Sequence, residues 1–204
     1  MDTLLYLVRH GVTKWNDERR YQGHRDLPLS ETGRLQAEKV VRRLQGVDIA
    51  AVYSSDLARA MDTAHFVGKA HRLPVIPLEE LREIDVGKWE GKSFEELRHK
   101  ESELLEHWLS DIVNNPIPGG ESYAQLRDRV IPKIMELART HKGSSICIVS
   151  HSGPLKLMLC HVLGMAPCGR LRFELANASL SAITCADDVR MRVLFLNDTC
   201  HLVT

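Results

Sequence analysis

The sequence predicts an α/β protein, a three-layer αβα sandwich around a mostly parallel central sheet. Three observations predict it. Short continuous apolar runs, such as Leu4–Val8 and Ile146–Val149, have the composition of strands buried on both faces. Between them lie longer segments whose apolar residues recur at helical spacing. Pro and Gly clusters, as at Asn114–Gly120, punctuate the boundaries. Strands alternating with helices are the pattern of a parallel sheet covered by helices.

The elements follow in order. Leu4–Val8 is the first strand. Ser30 reads as a helix N-cap, with Leu35, Val40, Val41 and Leu44 on the apolar side of the helix behind it. Ile49–Tyr53 is the second strand, and Ser55 or Asp56 is expected to cap a helix reaching about Ala70. Pro74–Pro77 brackets a short third strand. Residues 93–113 read as helical, with Leu97, Leu104, Leu105, Trp108 and Ile112 as the apolar members. These residues belong either to the core or to a lid over a pocket. After the Asn114–Gly120 loop a helix runs to about Thr140, and Pro132 inside it should kink or interrupt a turn. Ile146–Val149 is a buried strand, Leu155–Leu163 a helix, and Leu180–Thr184 and Arg190–Leu196 a closing pair of strands. With no repeat or linker, and 204 residues to bury, one domain over 1–204 is expected.

Composition narrows the function. Lys plus Arg and Asp plus Glu both number 27, so the chain is formally uncharged. That gives no support to a nucleic-acid or membrane-surface protein. No apolar run approaches the ~18 residues of a membrane span, and the N-terminus lacks the build of a signal peptide. The expected location is the cytoplasm. The five cysteines include no CxxC pair, which argues for reduced thiols and against a zinc knuckle. Gly91-Lys92-Ser93 resembles the end of a phosphate-binding loop, but Val86 stands where its first glycine belongs. No GxGxxG opens a helix, so neither a nucleotide triphosphatase nor a dinucleotide enzyme fits.

In such sheets ligands sit at the carboxyl ends of the strands. Two strands end alike, in Val8-Arg9-His10-Gly11 and Val149-Ser150-His151-Ser152-Gly153. If they are neighbours, two imidazoles face one small ligand. A neutral imidazole is a good nucleophile near pH 7 and phosphorus is a suitable target. A phosphoryl group needs fixed cationic donors. Arg9 supplies one only if the strand ends there, since adjacent strand residues point to opposite faces. Arg59 comes from near the end of the second strand, and His151 is a third donor if protonated. Backbone N–H groups of the Gly11 and Ser152 turns add an anion nest. The leaving oxygen needs an acid, and Glu83 and Asp85 are both candidates.

The full set of motifs resembles the histidine phosphatase superfamily, in its phosphoglycerate-mutase-like branch. The resemblance rests on Arg9-His10-Gly11-x-Thr13-x-x-Asn16, Tyr21-Gln22-Gly23, Ser55-Asp56-Leu57-x-Arg59, Leu81-Arg82-Glu83, Trp89-Glu90-Gly91, Pro118-Gly119-Gly120-Glu121-Ser122 and Val149-Ser150-His151. It covers nearly the whole chain in order. It implies a phosphoglycerate-mutase-like fold and a phosphohistidine on His10, with Glu83 rather than Asp85 as general acid and base. Arg9, Arg59 and His151 would hold the phosphoryl oxygens. Asn16, Gln22, Gly23, Thr13 and Ser152 would bind substrate, and no metal or other cofactor is implied. The segment from about 92 to 118, a helical lid in this reading, is shorter than in the mutases, so hydrolysis is expected over transfer. The short phosphatases are the relatives that match in length: α-ribazole 5′-phosphate phosphatases, broad-specificity phosphatases and metal-independent phosphoserine phosphatases. The expected partner is a small phosphorylated metabolite, best α-ribazole 5′-phosphate, with phosphoserine or a mutase reaction as alternatives. A monomer or homodimer is expected. The other eight histidines read as surface or packing residues, with substrate contact the alternative for His24, beside Gln22-Gly23.

Overall fold

A computed structural model describes residues 2–186 and 190–203. The strands are β1 (Thr3–Arg9), β2 (Ile49–Ser55), β3 (Val75–Leu78), β4 (Ser145–Ser150), β5 (Leu180–Cys185) and β6 (Met191–Asp198). They form one sheet in the order β3-β2-β4-β1-β5-β6. The first four are parallel to their neighbours, while β5 and β6 add on antiparallel. β1 and β4, the two strands with matching ends, lie side by side at the centre, with Arg9 opposite Ser150.

The helices are α1 (Lys14–Asp17), α2 (Glu31–Arg43), α3 (Ala58–His71), α4 (Phe94–Lys100), α5 (Ser102–Ser110), α6 (Tyr123–Thr140) and α7 (Ser152–Val162). Alternation along the strands sorts two apolar layers. Val8, Val52, Cys147 and Val149 pack with Val40 and Leu44 of α2 and Ala60, Ala64 and Val67 of α3. Leu5, Leu7, Ile146 and Ile148 face the other way, onto Val130 and Ile134 of α6 and Leu155 and Leu159 of α7. The central strands are therefore covered on both faces, which is why their sequence runs apolar without a break. β3 is an edge strand, and there Pro77 is tolerated because a missing N–H on the outer side breaks no ladder.

Three local expectations change. Neither Ser55 nor Asp56 caps α3. Ser55 still belongs to β2, Asp56 is bound by the Arg82 guanidinium, and the first α3 amide, Ala58 N–H, donates instead to Asp26 Oδ1 at 2.7 Å. Residues 93–113 form two helices, not one. Glu101 leaves the helical region and pairs with Lys92 at the other end of α4, and Leu104 is exposed on α5. α6 runs through Pro132 without interruption. The carbonyl that Pro132 leaves without a donor belongs to Asp128, on the exposed side of the helix where water can reach it. No helix among the described residues is long and apolar enough to cross a membrane, and the five cysteines carry no disulfide.

Candidate active site

The parallel strands end on one side of the sheet, above a cavity of about 260 Å³. His10 leaves β1 just as the strand ends, and its N–H donates to Ser150 O at 3.0 Å, which holds the two strand ends together. The ring centroids of His10 and His151 are 5.0 Å apart at an interplanar angle of 62°. The chain turns at Gly11, so Arg9 and His10 both reach the cavity despite being adjacent.

His10 is buried, and its Nδ1 lies 2.7 Å from the Gly11 carbonyl oxygen. A carbonyl only accepts, so Nδ1 must carry the proton and Nε2 keeps its lone pair. Burial first, then the Arg59 and Arg9 charges, hold the His10 pKa well below 6.5. The free ring is thus neutral at neutral pH.

His151 is fully buried and stands behind the cavity wall. Its Nδ1 accepts from Arg59 Nε at 3.2 Å, and its Nε2 is 2.8 Å from Ser55 Oγ. Burial, then Arg59, also depresses its pKa well below 6.5. With both ring nitrogens engaged, His151 orients Arg59 and packs on His10. A direct bond to a phosphoryl oxygen would require Nε2 to exchange Ser55 for the ligand.

Arg59 enters from the first turn of α3 and is 1% exposed. Its guanidinium also donates to Gly23 O and Arg25 O, each at 2.8 Å, and keeps the remaining N–H groups for the cavity. Burial lowers its pKa to about 10, so it remains charged. Arg9 donates to Leu175 O, while its Nε is buried without a partner among the described residues.

Glu83 and Asp85 are separated by the structure. Glu83 is on the cavity wall, and its carboxylate accepts from Ile84 N–H at 2.9 Å and Gly153 N–H at 3.1 Å. Gly153 is needed there, because a Cβ would lie 2.2 Å from Glu83 Oε1. The Asp85 carboxylate instead accepts from Gly87 N–H and closes a turn. Arg129 of α6 fixes the Glu83 loop, donating to the carbonyls of Glu80, Arg82 and Glu83 and pairing with Glu121. His24 does not reach the cavity. Its Nε2 lies 2.9 Å from the Glu83 carbonyl and steadies the same loop.

Asn16, Gln22, Gly23 and Ser152 line the cavity as expected from the sequence, but Thr13 does not. Thr13 is wholly buried, with its hydroxyl 3.0 Å from Gln22 Oε1, and its N–H donates to Asn16 Oδ1 at 3.0 Å. Both amide oxygens are therefore occupied, which leaves each NH₂ available to an anion. Thr13 acts as a positioning residue because it belongs to a capping box at α1, facing inward.

Sequence reasoning missed Tyr21, Tyr123, Lys156 and Arg170, which also line the cavity. Lys156 carried a signal, a lone cation in the apolar run Leu155–Cys160, four residues after Ser152. Arg170 carried none; it arrives on the 3-10 turn Pro167–Arg172. Trp108 is both core and wall: it is 6% exposed, stacks edge-on against Trp89 with centroids 5.3 Å apart, and closes one side of the cavity.

The two depressed histidines have a consequence for stability. Each binds a proton more tightly unfolded than folded, so their neutral burial costs nothing extra above the unfolded value near 6.5. As pH falls through 6.5 toward the folded values, the unfolded chain takes up protons first and stability declines. Thermal melts are expected to give a level Tm from pH 8 to 7 and a falling Tm from 6.5 to 5. A Tm that rises over that acid range would contradict the neutral assignment.

Comparison with known proteins finds relatives over nearly the whole chain. The family model described as histidine phosphatase superfamily (branch 1) matches residues 5–199. Phosphoserine phosphatase 1 of Hydrogenobacter thermophilus is 36% identical over 198 residues, covering 97% of this chain and 93% of that protein. A probable phosphoglycerate mutase GpmB of Salmonella choleraesuis is 37% identical over 183 residues, 88% of this chain and 83% of that protein. The crystal structure of a putative alpha-ribazole-5′-P phosphatase from Escherichia coli superposes with a TM-score of 0.88 at 31% identity, covering 96% of each chain.

Proposed function

We infer the reaction from one premise: this chain belongs to the histidine phosphatase superfamily (branch 1), a family of metal-independent phosphomonoester hydrolases. It is a phosphatase of small phosphomonoesters, and its His10 is the nucleophile. One observation carries that assignment. The Gly11 carbonyl places the proton on Nδ1, so Nε2 presents a lone pair beside Arg9 and Arg59. Nε2 attacks phosphorus in line while the bond to the leaving oxygen breaks. Glu83, as general acid, gives a proton to that oxygen. Water then attacks the phosphohistidine, Glu83 takes the water proton, the P–N bond breaks, and phosphate leaves neutral His10 behind. Arg9, Arg59 and the amides of Asn16 and Gln22 stabilise charge on the equatorial oxygens through both steps. Ser152 and Gly23 complete the cradle through the backbone.

The domain spans 1–204 in this reading; residues 1, 187–189 and 204 lie outside those the structure describes. The segment from about 92 to 118 acts as a short lid, contributing Trp108 and Ile117 to the wall. Action on free metabolites in the cytoplasm, as monomer or homodimer, belongs to the same proposal. Names of relatives supply α-ribazole 5′-phosphate and phosphoserine as substrates. A cavity of about 260 Å³ lies below the ~300–1,000 Å³ usual for drug-sized ligands, which favours the compact phosphoserine. The bicyclic base of α-ribazole would lie outside it. Similarity to a probable phosphoglycerate mutase keeps an isomerase as the second reading.

The test is release of inorganic phosphate in EDTA from phosphoserine, α-ribazole 5′-phosphate, 3-phosphoglycerate and p-nitrophenyl phosphate. Release that is indifferent to EDTA is the expected result. Conversion of 3-phosphoglycerate to its isomer without free phosphate would replace the hydrolase with the mutase.

A further inference from the structure

The cavity wall holds more positive charge than a phosphoryl group uses. Arg9, Arg20, Arg59, Lys156 and Arg170 line it against one carboxylate, Glu83, in a chain with no net charge. Arg9 and Arg59 answer the phosphoryl dianion. Arg20 is committed to Glu18 at 3.0 Å and Glu96 at 2.9 Å. Arg170 remains, and so in part does Lys156, because the carboxylate it pairs with, Glu174, stands in solvent and is screened by water.

Arg170 is 7% exposed, and its Nε is buried with no acceptor among the described residues. Its guanidinium carbon lies 3.4 Å from the centroid of the Tyr123 ring. A ring face attracts the charge but accepts none of the in-plane N–H groups. A guanidinium charge largely withdrawn from water, with its Nε–H unanswered, is costly unless an anion completes it. Lys156 is equally buried, and its ammonium pairs at 2.9 Å with Glu174, a carboxylate standing in solvent. Ser152, Gly153 and Lys156 share one face of α7 by their spacing. The helix that holds Glu83 through Gly153 thus carries an ammonium further along the same wall.

We propose that Arg170 and Lys156 form a second anion subsite that takes a carboxylate at the end of the substrate remote from phosphorus. The chain then prefers phosphorylated carboxylic acids to phosphorylated alcohols. The planar fork of Arg170, held over the Tyr123 ring, matches a carboxylate in two-point contact. Size agrees: a cavity of about 260 Å³ lies below the ~300–1,000 Å³ of drug-sized ligands and is on the scale of a phosphoryl group on a three-carbon acid. The proposal rests on the hydrolase reading above.

The experiment compares kcat/KM within two substrate pairs, phosphoserine against phosphoethanolamine and 3-phosphoglycerate against glycerol 3-phosphate. Within each pair the carboxylate is the main change. The native protein is expected to favour the acid by roughly ten- to a hundred-fold, the worth of one charge-assisted contact. In Arg170→Gln that ratio should fall toward one, through KM of the acid, and Lys156→Gln should lower it in the same direction. If Arg170→Gln does not fold, Lys156→Gln alone carries the test. Equal rates within the native pairs, or variants that slow both members by the same factor, would overturn the subsite and leave the hydrolase standing. No phosphate release from any member would overturn the hydrolase and the subsite together.

Discussion

His10→Ala leaves a folded protein that no longer turns over phosphomonoesters, with a loss of roughly 10⁴-fold or more in kcat. The size follows from what is removed. Arg9, Arg59 and the two amides remain to bind the phosphoryl group, so substrate affinity survives in large part. Only the lone pair that opens the first step is gone, and water cannot take its place in a cavity closed on that side by the β1 and β4 ends. The fold should tolerate the change, because the truncated ring is a neutral imidazole whose one hydrogen bond is to the adjacent Gly11 carbonyl. Two measurements check it. Steady-state release of phosphate should fall to background, and the acid-labile, alkali-stable phosphoprotein formed by the native chain should be absent from the variant. Retention of more than about one per cent of native activity would remove His10 from the role of nucleophile.

Glu83→Gln has the second-largest effect, and its signature lies in how the loss depends on the leaving group. The glutamine amide can still accept from Gly153 and Ile84 N–H, so the loop is preserved while the transferable proton is lost. General acid–base catalysis of this kind is worth roughly 10²–10⁴-fold. An alkyl phosphate such as phosphoserine needs that proton in the first step and should slow by that amount. p-Nitrophenyl phosphate has a leaving group stable as the anion, so its first step is largely spared. Its second step still lacks the base that activates water. The variant should therefore show a burst of p-nitrophenol close to one equivalent per site, followed by a slow steady state, and no burst with phosphoserine. Equal slowing of both substrates with no burst would assign the proton transfers elsewhere. Arg129 and His24, which hold the Glu83 backbone, act on the same step only through position.

The match of sequence to structure was strongest where the physics is local. Leu4–Val8 and Ile146–Val149 read as strands because a strand covered on both faces has no polar alternation. Ser30 read as a cap because a hydroxyl followed by Gly33 and an apolar helix meets the orphan amides there, as its bond to Gly33 N–H bears out. The single helix over 93–113 failed because its periodicity counted Leu104 as inward, although Glu101 breaks the phase and turns that leucine to solvent. Ser55 failed as a cap for α3 because a serine at a strand end has competing partners, here His151 and the Leu57 amide.

The sequence by itself determined the order of strands and helices, the paired histidine ends, the arginines beside them and the family to which the motifs belong. Each of these is written in residues near one another in the chain. Spacing left Glu83 and Asp85 open and the resemblance chose Glu83; tertiary structure supplied the physical reason, and it alone decided that Thr13 and His151 stand behind the wall and that Arg170 meets Tyr123. Thr13 aside, whose partners Asn16 and Gln22 are near in the chain, those outcomes depend on contacts between segments far apart: α7 against the loop after β3, and a 3-10 turn against the start of α6. Spacing along a chain sets which face a residue takes within its own element. Packing between elements sets what that face meets.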